Sequence, residues 1–96
     1  MSKGYWIARV NIKDNDEYKK YANRAKLAIE KYGGKYVVRA GQFKLLEGKH
    51  NFDRNVVVEF DSIEKAQECF NSKEYQEAKS YRNGKADFNA IVVEGY

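Results

Sequence analysis

Hydrophobic and polar residues alternate in four stretches of the chain, and between these stretches the hydrophobic residues recur every three or four positions. The alternation predicts four strands, over residues 5–12, 35–40, 54–60 and 90–93. Gly41 predicts a bulge or bend after the second strand, and Phe43, Leu45 and Leu46 are expected to continue its extended path. A turn at 47–53 then leads into the third strand.

The intervening segments predict three helices, each starting at a polar residue that can cap its first turn: Asp14, Asp61 and Ser72. Glu17 and Glu64 stand three residues after the first two of these, which is the spacing of a capping box. Glycine can supply the positive φ that ends a helix. We therefore expect the first helix to end at residues 33–34 and the third, after Arg82, at residues 83–84.

The predicted element order is β-α-β-β-α(α)-β. With right-handed crossovers, this order gives an α+β fold of the ferredoxin-like kind, a four-stranded antiparallel sheet with its helices on one face. The expected strand order is four-one-three-two, and residues 1–96 form one domain. The other face would carry Ile7 and Val57, and an apolar sheet face needs a cover. We expect a second copy of the chain to cover it, so that two copies form a dimeric α/β barrel.

Composition limits the compartment and the partners. Hydrophobic residues make up 43% of the chain, which excludes a disordered protein, and no apolar run approaches the roughly 18 residues of a membrane span. The formal net charge of +4 is dispersed among acids. The strand at 54–60 also lacks the aromatic residues on which RNA-recognition motifs stack bases, so we expect neither a nucleic-acid nor a membrane partner. Cys69 is the single cysteine, and without a signal-peptide pattern the sequence predicts a cytoplasmic protein with no internal disulfide.

Three predicted strands each carry one charged residue inside an apolar run: Arg9, Arg39 and Glu59. Strand alternation can place all three side chains on the open face of the sheet. Burying an unpaired charge costs several kcal/mol, roughly, so each needs a partner, water or a ligand. One interpretation is a structural ion-pair network among the three residues inside the dimer. The other leaves one arginine free to bind a carboxylate or enolate oxygen with two hydrogen bonds.

Further residues are candidates for chemistry or for ligand binding. His50, the only histidine, and Tyr75 are the candidates for proton transfer, although His50 can equally be a plain surface residue. Tyr75 can also be a core anchor, and Lys79 and Arg82 share its face of the third helix. The candidate residues for binding an anionic substrate are therefore Arg39, Arg54, Lys79 and Arg82.

The same residue types predict no cofactor and no metal. One histidine without a cluster of acids does not make a zinc site, and a haem-binding histidine on a hairpin loop would be unusual. Cys69 has no histidine nearby in sequence to activate it, so we interpret it as a small buried hydrophobic residue.

The chain resembles the domain-of-unknown-function thirteen-thirty family, small members of the dimeric α/β-barrel superfamily. The resemblance is carried by Arg82 and by residues 3–10, 32–39, 47–48, 57–60, 72–79 and 91–95. Two details depart from the family pattern: Ala40 stands where a glycine is expected, and no proline precedes the second helix. The resemblance implies an intracellular homodimer whose two sheets pack face to face. It implies no activity, because the superfamily includes cofactor-free monooxygenases, isomerases, haem enzymes and proteins without known chemistry.

Two functional hypotheses remain open at this point. The first is a homodimer that binds a small anionic, partly apolar metabolite, such as a small carboxylate, and that works as a cofactor-free enzyme. The alternative is a non-catalytic dimeric module that binds a ligand or only assembles.

Overall fold

Four antiparallel strands form one sheet, and three helices cover one of its faces in this computed structural model, which describes residues 2–96. Met1, which the predicted domain includes, lies outside the described residues. The elements in chain order are β1 Gly4–Ile12, α1 Asn15–Lys31, β2 Lys35–Arg39, β3 Arg54–Phe60, α2 Ile63–Phe70, α3 Lys73–Ser80 and β4 Ala86–Glu94. The strand order β2-β3-β1-β4 is the predicted one, and the ferredoxin-like α+β fold is confirmed.

Two of the three predicted helix caps are confirmed, and one is wrong by a residue. The side chain of Asp14 accepts the backbone N–H of Glu17 at 3.1 Å, and that of Ser72 accepts the N–H of Tyr75 at 3.1 Å. The second helix is capped by Ser62 and not by Asp61, because the Ser62 hydroxyl accepts the N–H of Lys65 at 3.1 Å. A side-chain oxygen at any of these positions satisfies a backbone donor that the first helical turn leaves free.

Three boundaries differ from the prediction. Helix α3 ends at Ser80, before Arg82, and β4 begins at Ala86, four residues earlier than expected. Residues 41–53 form no strand, so the extended path predicted through Phe43 and Leu46 is wrong. Ala40 has a φ of 57°, which turns the chain away from the sheet directly after β2.

The face of the sheet that meets the helices holds the core. Trp6 and Val10 from β1 and Val58 and Phe60 from β3 are buried there, and they pack against Tyr75 of α3 among others. The indole N–H of Trp6 donates to the carbonyl of Ala66 at 2.8 Å, so this large side chain is buried with its polar atom satisfied.

The opposite face of the sheet, here called the open face, carries no helix. A row of aliphatic side chains crosses all four strands on this face. Val38 of β2 pairs with Val57 of β3, Val57 pairs with Ile7 of β1, and Ile7 pairs with Ile91 of β4. Ile7 is 38% exposed and Ile91 is 57% exposed. A single chain therefore presents an apolar band to water, as the alternation predicted.

A bulge in β2 changes which face its last residue occupies. Tyr36 pairs with Val58 and Val38 pairs with Val57, so Val37 is an extra residue without its own partner. After the bulge, Arg39 stands opposite Val56, whose neighbour on β1 is the helix-facing Ala8. The prediction that Arg39 lies on the open face is therefore wrong, since one inserted residue moves it to the helix side.

Candidate ligand-binding cavity

A cavity of about 320 Å³ lies between the helix-facing side of the sheet and the helices. Most of its wall is apolar, with side chains from all four strands and all three helices, including Trp6, Val58, Phe70, Phe88 and Val92. Its volume is at the lower end of the range for small-molecule sites, which combine apolar walls with a few polar groups.

Two guanidinium groups belong to the wall of this cavity. Arg39 and Arg54 are exposed residues that line it, at the ends of the neighbouring strands β2 and β3. The guanidinium carbon of Arg39 lies 4.4 Å from the centroid of the Tyr36 ring, and that of Arg54 lies 6.0 Å from the Tyr18 ring. Among residues 2–96, no carboxylate forms an ion pair with either arginine. Both can therefore bind an anion without giving up an existing partner.

Four tyrosines line the same cavity: Tyr18, Tyr21, Tyr36 and Tyr75. The hydroxyls of Tyr21 and Tyr75 form a mutual hydrogen bond of 2.7 Å deep in the core. Burial raises the pKa of Tyr36 to about 12 and raises the pKa of Tyr21 well above its usual value. Burial likewise raises the pKa of Tyr18, although the nearby Arg54 opposes that effect. The phenols of Tyr18, Tyr21 and Tyr36 therefore stay protonated at neutral pH and can act as hydrogen-bond donors.

The predicted ion-pair network of Arg9, Arg39 and Glu59 is not formed within the described chain. Arg39 is on the helix side, whereas Arg9 and Glu59 are on the open face, where Arg9 stands opposite Asn55. Glu59 accepts a hydrogen bond of 3.0 Å from the hydroxyl of Tyr5, and that bond is the main cause that raises the pKa of Tyr5. Glu59 thus has a partner other than arginine, and Arg39 is released from the structural role.

His50 lies outside the cavity, in the segment between β2 and β3. Its Nδ1 accepts the backbone N–H of Phe52 at 3.3 Å, and its Nε2 lies 3.1 Å from the side-chain oxygen of Asn55 on the open face. The ring also packs against Phe43 with centroids 4.9 Å apart. The structure therefore does not bring His50 and Tyr75 together, and the two candidates for proton transfer do not share one site.

The three candidates from the third helix separate in the structure. Tyr75 lines the cavity and is 1% exposed, so its anchoring and its ligand-facing interpretations are both compatible with its position. Lys79 points toward the Phe70 ring, with Nζ 5.9 Å from its centroid. Arg82 is buried, and its guanidinium carbon lies 3.7 Å from the centroid of Phe88. Neither Lys79 nor Arg82 belongs to the residues that line the cavity.

The sequence pattern did not identify Tyr18, Tyr21 and Tyr36 as polar groups of the site. In the pattern, Tyr18 and Tyr21 belong to the apolar stripe of the first helix, and Tyr36 belongs to a strand. The signal for them was the choice of tyrosine at positions predicted to be buried. Phenylalanine fills a purely apolar position, whereas the hydroxyl of a buried tyrosine needs a hydrogen-bond partner.

Cys69 does not line the cavity. Its thiol is buried against the carbonyl of Ala28, with a sulfur–oxygen distance of 3.7 Å, and burial raises its pKa to about 12. Within residues 2–96, no group of three or more His, Cys, Asp or Glu side chains is placed to hold a metal ion. No helix of this part of the chain is long and apolar enough to cross a membrane.

Comparison with known sequences gives one match. The sequence profile of the family described as Domain of unknown function (DUF1330) matches residues 3–96. No protein of curated function matches the chain.

Solved structures share the fold. A protein of unknown function from Rhodopseudomonas palustris superposes with a TM-score of 0.79 at 22% identity, covering 99% of this chain and 83% of that one. SnoaB, a cofactor-independent oxygenase from Streptomyces nogalater, gives 0.64 at 8% identity, covering 97% and 92%. A dimeric ferredoxin-like protein of unknown function from Thermobifida fusca gives 0.57 at 14% identity, covering 96% and 90%. At such identities the likeness establishes the fold and no activity.

Proposed function

We propose that this chain, which belongs to the DUF1330 family, forms a homodimer that binds a small, partly apolar carboxylate in its cavity. The description of the family assigns no function, so the proposal rests on the residues that line the cavity. One observation carries the binding proposal. Arg39 and Arg54 line an aromatic cavity, and no carboxylate of residues 2–96 pairs with them. Planar guanidinium groups bind carboxylates with two parallel hydrogen bonds, and the apolar wall accommodates the rest of the ligand.

A thermal-shift screen with matched ligand pairs tests the binding proposal. Each small aromatic or aliphatic carboxylate is compared with its neutral amide, for example phenylacetate with phenylacetamide. We expect the acid to raise the melting temperature increasingly with concentration, because a ligand that binds only the folded state stabilises it by mass action. The amide lacks the charge and should have a much smaller effect. Equal shifts for acid and amide, or no shift with any acid of the panel, would contradict the proposal.

The homodimer is supported by the aliphatic row on the open face and by dimeric proteins of the same fold, such as the one from Thermobifida fusca. Its interface should bury more than roughly 1,000 Å² in total. Sedimentation of the wild type should give twice the chain mass at micromolar concentration, and Ile91→Lys should give the chain mass. Leu27→Lys is the matched control, because Leu27 is also exposed, at 68%, but lies on α1. A wild-type monomer, or dissociation by both substitutions, would refute this interface.

A cofactor-free enzyme is the second candidate, favoured by the fold shared with a cofactor-independent oxygenase. Protonated phenols at the cavity can donate hydrogen bonds to an oxyanion that develops on a bound substrate. In the described chain, however, neither a histidine nor a carboxylate lines the cavity, so neither residue type is placed there as a general base. The test is to incubate each acid that binds with the protein and to follow oxygen uptake and the mass of the acid. Complete recovery of every bound acid would favour the non-catalytic module.

A further inference from the structure

We infer that the ligand of the cavity carries a second polar group, an acceptor oxygen such as a ketone, which the hydroxyl pair of Tyr21 and Tyr75 recognises. This inference rests on the proposed binding of a carboxylate and adds a requirement on the body of the same ligand. The substrate class is then an oxo acid whose apolar body separates the carboxylate from the ketone.

The first step is a count of hydrogens in the Tyr21–Tyr75 pair. Each phenol has one O–H donor, and the mutual bond of 2.7 Å uses only one of the two. The second O–H has no other acceptor among residues 2–96, because the mutual bond is the only side-chain hydrogen bond of either hydroxyl in this part of the chain. Whichever tyrosine donates to the other, the pair as a whole retains one free donor.

The second step is the position of that donor. Tyr21 is 6% exposed and Tyr75 is 1% exposed, so bulk solvent has little access to either side chain. Both side chains line the cavity. A buried donor without an acceptor is costly, so an oxygen of whatever occupies the cavity is the natural partner. Burial keeps the pKa of Tyr21 well above its usual value, and the donor is therefore retained at neutral pH.

The third step is the electrostatic setting. The guanidinium carbon of Arg82 lies 5.1 Å from the centroid of the Tyr21 ring, and among the described residues its buried Nε has no hydrogen-bond partner. A cation beside the pair favours an electron-rich oxygen next to the two hydroxyls. Arg39 and Arg54 are exposed and also line the cavity, so they offer the carboxylate site. The exposed arginines and the buried hydroxyl pair thus select two different oxygen groups on one ligand.

The experiment compares two acids of nearly equal shape, 4-acetylbenzoate and 4-ethylbenzoate, by isothermal titration calorimetry. They share the carboxylate and the ring, and only the first has a ketone at the far end. We expect the wild type to bind the oxo acid about tenfold more tightly, since the ethyl group leaves the free O–H without a partner. Tyr21→Phe and Tyr75→Phe each retain one free O–H and should keep most of this preference. The double variant should bind both acids equally.

Tyr81→Phe is the control, because it removes the hydroxyl of an exposed tyrosine outside the cavity and should keep the full preference. A measurement on the wild type alone covers the case in which the double variant does not fold. The carbonyl stretch of carbon-13-labelled 4-acetylbenzoate should move to lower frequency when the acid binds, relative to an apolar solvent. Equal affinities for the two acids, or an unshifted carbonyl band, would overturn the inference and leave the carboxylate site intact. Failure of both acids, and of every other carboxylate, to bind would overturn the proposed function itself.

Discussion

Replacing Arg39 by methionine should leave the free protein nearly as stable as the wild type and should weaken carboxylate binding strongly. In the absence of ligand, the guanidinium contacts the Tyr36 ring at 4.4 Å and pairs with no acid of residues 2–96. A cation–π contact at an exposed site contributes about 0.5–1 kcal/mol. For a domain of this size, that corresponds to a fall in melting temperature of no more than roughly 4–8 °C.

The loss in binding follows from the charge-assisted hydrogen bonds that Arg39 would make to the ligand. Hydrogen bonds to charged groups contribute about 1.5–3 kcal/mol, so the dissociation constant should rise roughly 10- to 150-fold. Trp6 is the single tryptophan and lines the cavity, so its fluorescence reports occupancy directly. Denaturation without ligand and fluorescence titration with a carboxylate then measure the two effects separately.

Arg24→Met is the matched control for Arg39→Met. The guanidinium of Arg24 also stacks on a tyrosine, 4.1 Å from the centroid of Tyr81, but it lies outside the cavity. It should show the same small change in stability and no change in carboxylate affinity. Two results would refute the reasoning for Arg39. A loss of several kcal/mol in the free protein would restore a structural role, and an unchanged dissociation constant would remove Arg39 from the site.

Three further predictions follow from particular contacts. Gly4→Ala should lower the stability by about 1–3 kcal/mol in thermal or urea denaturation, because an added Cβ would lie 2.5 Å from the backbone of Ile63; a wild-type midpoint would contradict this close approach. Cys69 should resist iodoacetamide at pH 8 in the native protein and react with it in denaturant, because burial raises the pKa of the thiol to about 12. Rapid labelling of the native protein would contradict the burial of Cys69. The stability of the folded protein should fall as the pH rises from about 10 toward 12. Tyr36 has a pKa near 10 in the unfolded chain and about 12 in the folded protein, so its deprotonation favours the unfolded state. Urea denaturation should therefore give a lower midpoint at pH 11 than at pH 9.

Local signals in the sequence were sufficient for most of the fold. The alternation in β1 placed Ile7 on the open face correctly, and Asp14 and Ser72 each cap a helix as predicted, because these features depend on residues close together in the chain. The second cap was assigned to Asp61 although Ser62 provides it. Both residue types can cap a helix, so residue type alone does not decide between Asp61 and Ser62. Gly4 contacts Ile63 at the start of α2, a contact between β1 and α2 that the local pattern does not contain.

The candidate site was predicted only in part. Arg39, Arg54 and Tyr75 were singled out and do line one cavity, whereas His50 was singled out and lies in the segment between β2 and β3. Residue type alone favours any histidine as a proton carrier, but a site also requires that its members converge in space. That convergence depends on strand register and helix packing, which the sequence specifies only through the complete fold.

The bulge at Val37 is the feature on which the separation of the two sheet faces depends. With regular alternation, Arg39 would join Glu59 on the open face, and the apolar band of that face would contain one more charge. The extra residue instead places the guanidinium at the cavity, beside Arg54 and the tyrosines. The open face keeps its aliphatic row from Val38 to Ile91. Deleting Val37 should therefore leave both carboxylate binding and self-association intact, because Tyr36, Val38 and Arg39 would then alternate regularly and keep Val58, Val57 and Val56 as their partners. Loss of carboxylate binding in the fluorescence titration, or of the dimer in sedimentation, would contradict this account of the bulge.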